Sequence, residues 1–126
     1  MRTKNRTLFL RRAISSVVNQ TFQDWVLIVI NDGGDADEVE KLLAEIRWMN
    51  PDRIVAIHNS TSIGMQNASN RAIQACDSEF IIIHDDDDSW HPEFLGATVG
   101  FFDDQTTNPS IQGVATQSLK ISERVQ

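Results

Sequence analysis

The stretch Phe80-Ile81-Ile82-Ile83-His84-Asp85-Asp86-Asp87-Asp88-Ser89-Trp90 decides how this chain is read. A short apolar run bounded by polar residues predicts a buried strand. It stops at four consecutive aspartates, so the carboxylates fall where the chain leaves the sheet. Open α/β sheets bind ligands at that edge. Four adjacent like charges repel one another, so a cation is expected against them. Carboxylate oxygens suit a hard divalent ion such as Mg, Mn or Ca. An acidic run can also be a solvated loop with no ligand, but this one is bracketed by isoleucine and tryptophan.

Outward from that stretch, the same grammar repeats. Leu8 to Asn19 has apolar residues at helical spacing, and Trp25 to Ile30 is a continuous apolar run expected as a buried strand. Asn31-Asp32-Gly33-Gly34-Asp35 follows as a turn, then Val39, Leu42, Leu43 and Ile46 recur at helical spacing up to Asn50-Pro51-Asp52. Arg53 to His58 reads as a strand, Asn59 to Gly64 as a polar loop and Met65 to Ala75 as a helix. Pro92 is placed to open a helix through Phe94, Leu95, Val99 and Phe102, which Pro109 ends, and Ile111 to Ile121 looks extended. Helices alternate with short buried strands, which predicts an α/β fold with a mostly parallel sheet and helices on both faces. The order opens on a helix, so the first strand is expected to be missing.

Composition narrows the function. The 126 residues fit one domain, 40% are hydrophobic, and the net charge is −7. That charge argues against nucleic acid as the partner. The one cysteine, Cys76, has no internal disulfide partner, which favours a reducing compartment. No signal peptide or membrane-spanning run is visible, so a cytoplasmic or peripheral membrane location is expected.

Two acidic loops follow strands, Asn31 to Asp35 and Asp85 to Asp88. In a parallel sheet both emerge at one edge and can face one cleft. Asn31 or Asp32 could accept hydrogen bonds from a base or ribose. Asp87 could hold a metal that in turn coordinates a diphosphate. Neither GxGxxG nor GxxxxGK[ST] occurs, and His58, His84 and His91 do not share metal-ligand spacing with cysteine.

Five motifs in order then resemble the family 2 glycosyltransferases, nucleotide-sugar-dependent enzymes of the GT-A fold. Thr3-Lys4-Asn5-Arg6 is similar to the loop after that family's first strand, and Ala13 to Phe22 to its "SvLxQTy" helix end. Val29-Ile30-Asn31-Asp32-Gly33-Gly34 resembles "VVDDGS", Gly64 to Asn70 with Ala72-Ile73 resembles "GxxxARNxgi", and Ile83 to Pro92 resembles "fLDxDDxwxP", the DxD region. The resemblance implies a UDP-, GDP- or dTDP-sugar donor, an inverting transfer to an unknown acceptor, and Mn or Mg as cofactor. It implies that Thr3, Asn31, Asp32, Asp85 and Asp86 contact the nucleotide sugar and that Asp87 ligates the metal.

Departures accompany it. Asn31 stands where the family has an aspartate, and Ser69 where arginine is common. No residue can be assigned as the general base, and Glu123 is a poor candidate. Residues 1–126 are therefore expected to be one partial GT-A domain, the nucleotide-sugar-binding half, truncated at both ends. The alternative is a non-catalytic nucleotide-sugar-binding fragment. A nucleotidyltransferase ranks last, because a basic Gly-rich phosphate loop is not seen. A lost strand would expose a sheet edge and favour self-association.

Overall fold

The computed structural model describes residues 1–104 and 110–121; Pro109 and Glu123 lie outside them. The elements are β1 (Arg2–Thr3), α1 (Thr7–Val18), β2 (Leu27–Asp32), α2 (Ala36–Arg47), β3 (Ile54–Asn59), α3 (Met65–Gln74) and α4 (Phe94–Asp104). The sheet has the order β1-β2-β3 with both pairings parallel. Thr3 is in register with Asn31, and Asn31 with His58. All three strands therefore end at one edge, as the alternation predicts.

The core follows from helical and strand periodicity. Leu10, Ala13, Ile14 and Val17 of α1 and Val39, Leu42 and Leu43 of α2 are buried together with Leu27, Val29 and Ile54. Side chains alternate along a strand, so Ile30 and Asp32 face the other side of β2. There α3 packs against β1 and β2 and buries Ala68. Helices thus cover both faces.

α2 starts where Asp35 caps it, its carboxylate accepting from the Glu38 amide at 3.1 Å. Asp37 and Glu38 in the first turn and Arg47 in the last complement the helix dipole. Buried Gln20 fastens the end of α1 to the start of α4. Its amide donates to the Ser16 and His91 carbonyls at 2.9 and 2.8 Å, and its Oε1 accepts from the Leu95 amide at 2.9 Å.

Three expectations are corrected. The first strand is short rather than absent, and Thr3 belongs to it rather than to the loop behind it. The stretch Phe80 to His84 is not a buried strand. It joins no ladder, and Ile81, Ile82 and Ile83 are 58%, 49% and 56% exposed. Asp85 alone makes an isolated parallel bridge, to Arg2. Residues 111–121 likewise enter no strand among the described residues.

Candidate functional site

At the strand ends lies a cleft of about 360 Å³, within the size range of small-ligand sites. It is lined from four separate segments: Arg2, Thr3, Lys4 and Arg6; Asp32; Ser62, Gly64, Met65 and Ala68; and Asp85, Asp86 and Asp87. The structure thus brings Thr3, Asp32, Asp85, Asp86 and Asp87 together, although up to 84 positions separate them.

Asp32 is the best-satisfied group in this cleft. Its Oδ1 accepts from Asn59 Nδ2 at 2.8 Å and the Ile63 amide at 2.9 Å. Its Oδ2 accepts from Ser62 Oγ at 2.7 Å and the Gly64 amide at 3.2 Å. Burial opposes ionisation, but the four donors outweigh it and hold the carboxyl at about 2. The carboxylate sits at the N-terminus of α3, where the helix dipole also favours it. Asp32 therefore ties the 59–64 loop and α3 to the end of β2.

Two glycines make that loop possible. Gly33 and Gly64 have φ of 80° and 88°, a region that glycine enters without strain. A Cβ on Gly33 would stand 2.6 Å from the Ser62 backbone nitrogen. On the other side, Asn5 adopts φ 52° and its Oδ1 accepts from the Asp35 amide at 2.9 Å. The loop from Lys4 to Arg6 is thereby stapled to the turn after β2.

Asn31 does not line the cleft, against expectation. Strand alternation turns it to the α2 face, opposite Asp32. There Nδ2 donates to the Gly34 carbonyl at 2.9 Å and lies 3.2 Å from His58 Nδ1, while Oδ1 accepts from the Gly34 amide at 3.0 Å. His58 Nε2 meets Glu40 of α2 at 2.9 Å. The His58 ring, with Arg47 nearby, holds the Glu40 carboxyl below its usual range.

The four-aspartate run meets a cation, but that cation is protein. Arg2 pairs with Asp85, and Arg6 bridges Asp86 at 3.1 Å and Asp87 at 2.8 Å. Arg12 donates to the Asp87 carbonyl at 3.3 Å. The Arg6 hydrogen bond is the main reason the Asp87 carboxyl lies below its ordinary value. Sequence reading missed these arginines, because pairing across 80 positions is invisible until strand order is known. Among the described residues, no three His, Cys, Asp or Glu side chains converge into a metal cage. Asp85 and Asp87, both about half exposed on the cleft, suit the looser mode in which one or two carboxylates share an ion with substrate phosphates.

Three buried polar atoms in this wall have no partner, Arg2 Nε, Thr3 Oγ1 and Asp86 Oδ2. Such atoms are costly unless something satisfies them. Behind the wall, buried His84 contacts the Ser16 hydroxyl at 3.3 Å and the Asp85 carbonyl at 2.7 Å, and packs on Trp90 with ring centres 4.1 Å apart. Trp90 packs against the core rather than lining the cleft. His84 and Trp90 set the run's backbone in place.

The family model described as Glycosyl transferase family 2 matches residues 1–124. The chain belongs to that family. This also removes the nucleotidyltransferase reading. WcaA of Escherichia coli (strain K12), whose name places it among colanic acid biosynthesis glycosyl transferases, is 36% identical over 75% of this chain and 33% of its own length. Succinoglycan biosynthesis protein ExoW of Rhizobium meliloti (strain 1021) is 37% identical over 68% of this chain and 27% of its own. The chain thus spans about a third of these relatives. The crystal structure of S. aureus TarS 1-349 in complex with UDP superposes with TM-score 0.72 at 21% identity, over 82% of this chain and 30% of that one. That likeness carries the fold. No helix among the described residues is long and apolar enough to cross a membrane.

Proposed function

We propose that this chain binds the donor of a glycosyltransferase: a nucleoside-diphosphate sugar, lodged in the cleft between Thr3–Arg6, Asp32 and Asp85–Asp87. One observation carries the reading. Four segments that match family motifs converge on one cleft, whose wall contains three buried, unpartnered polar atoms, Arg2 Nε, Thr3 Oγ1 and Asp86 Oδ2. The UDP of the TarS complex makes UDP the first donor nucleotide to test, with GDP and dTDP beside it.

In this reading Thr3 and Asp86 hydrogen-bond the donor, and Asp85 contacts its sugar or ribose. Asp87, with Asp85 beside it, would hold Mn or Mg. Such an ion supplies charge stabilisation to a departing diphosphate. Asp32 shapes the pocket floor through the 59–64 loop; its oxygens are already engaged by four protein donors. Asn31 is left out because its amide closes the turn.

Transfer, with inversion, to a polysaccharide or other glycan acceptor is the proposed reaction, in keeping with the relatives named for colanic acid and succinoglycan biosynthesis. Binding without transfer is the second reading, favoured because each carboxylate that lines the cleft, Asp32, Asp85, Asp86 and Asp87, is already engaged by protein donors. The free thiol Cys76 supports a cytoplasmic placement. The exposed apolar side chains of Phe80 to Ile83 support self-association.

The test is thermal stability with UDP, GDP or dTDP, each with and without Mn or Mg. A ligand present at 100 times its Kd raises stability by about 2.7 kcal/mol. Asp87→Ala should remove the metal-dependent part of the shift. No shift with any nucleotide and ion would sink the assignment. Donor hydrolysis by the chain would decide for transfer over binding alone.

A further inference from the structure

We infer that Arg6 is a positioning residue that changes partners when the cleft fills. It neutralises Asp86 and Asp87 in the cleft, and turns onto the diphosphate when a nucleoside diphosphate and a divalent ion enter. The inference rests on the donor-binding reading above and assigns one residue's part in it.

Three observations carry it. First, one guanidinium serves two carboxylates, NH1 toward Asp86 at 3.1 Å and NH2 toward Asp87 at 2.8 Å. It therefore occupies the place where the run would otherwise take a cation. Asp87 cannot give its charge fully both to Arg6 and to an ion. Second, the Arg6 backbone is fixed while its side chain has room to move. Its carbonyl accepts from the Leu10 amide at 2.9 Å, and its neighbour Asn5 is bonded to the Asp35 amide. Besides the two carboxylates, the guanidinium stacks on the Phe9 face, 5.3 Å from the ring centre, and the side chain is 43% exposed. The Arg6–Asp87 pair faces solvent, so its exchange costs little, whereas Asp86 is 5% exposed and needs the entering ion to replace the charge Arg6 withdraws. Third, Arg6 lines the same cleft as the unpartnered atoms Thr3 Oγ1 and Asp86 Oδ2. A ligand that satisfies them lies within reach of the Arg6 side chain. A planar guanidinium matches phosphate oxygens better than a single carboxylate oxygen does.

The experiment titrates MnCl2 alone, UDP alone and UDP with Mn into the chain by calorimetry. The proteins are the wild type, Arg6→Gln, Arg6→Lys and Arg11→Gln, whose arginine pairs with Glu45 outside the cleft. Arg6→Gln should bind Mn alone several-fold more tightly, because a competing cation is gone. The same variant should bind UDP with Mn about tenfold more weakly, the scale of one lost charge-assisted hydrogen bond. Arg6→Lys should recover part of both effects, and Arg11→Gln should show neither. A merely structural arginine would weaken both ligands together and lower the melting temperature. Parallel loss, or unchanged affinities in Arg6→Gln, overturns the inference while leaving donor binding intact. A wild type that binds neither Mn nor UDP overturns both.

Discussion

Asp32 shows how one residue of a motif can be read correctly for place and incompletely for task. The sequence puts it at a strand end. The structure gives it four protein donors and makes it the anchor of the 59–64 loop. Asp32→Ala should cost about 2–4 kcal/mol in urea unfolding, since it removes four bonds and strands the buried Asn59 amide. Its carboxyl sits at about 2 against an ordinary 3.8. The unfolded chain therefore takes up the proton first, and the stability Asp32 contributes is complete above pH about 4. It is lost as pH falls toward 2. In Asp32→Ala that part of the acid limb should vanish; an unchanged limb would assign it to other carboxylates. Gly33→Ala should cost about 1–3 kcal/mol, because φ is positive and the new Cβ meets the Ser62 backbone.

Elements were legible in proportion to how much of their burial is local. α1 and α2 announce themselves through Leu10, Ala13, Ile14, Val17 and Val39, Leu42, Leu43, and both form. Phe80 to Ile83 has an equally strong strand pattern and stays unpaired, since a ladder needs a neighbour that periodicity cannot supply. Ile82→Lys should leave stability within about 0.5 kcal/mol, as for other exposed sites, and should reduce any association seen by light scattering. A large loss of stability would mean that the stretch is packed. The join between α1 and α4 hangs on Gln20. Gln20→Ala should cost about 1–3 kcal/mol by leaving the Leu95 amide buried without its acceptor. Faster hydrogen exchange confined to residues 91–104 would show where that cost falls.

At the scale of the whole molecule, the cleft is a product of parallel register. Thr3, Asp32 and the bridge at Asp85 come to one edge because every strand runs the same way. Behind that edge, burial keeps the His84 imidazole below its ordinary value of 6.5. The unfolded chain binds that proton at higher pH, so His84 favours folding above about 6.5 and progressively less as pH falls below it. His84→Gln should flatten this part of the melting-temperature profile, and an unaltered slope would place the titration elsewhere. The nucleotide and Asp87→Ala titrations also belong to this scale, because they read the assembled cleft.

Sequence by itself determined the alternation of helices and strands, the parallel sheet, the family, and the acidic loops at the strand ends. These are set by local periodicity, turn chemistry and motif order. Tertiary structure alone decided the rest. It turned Asn31 to the α2 face and filled the lone pairs of Asp32. It also set Arg2 and Arg6 against Asp85, Asp86 and Asp87 and left Phe80 to Ile83 without a ladder. The reason is physical: a side chain's partners depend on which face it occupies and which distant segment lies opposite. Neither is fixed until the strands are in register.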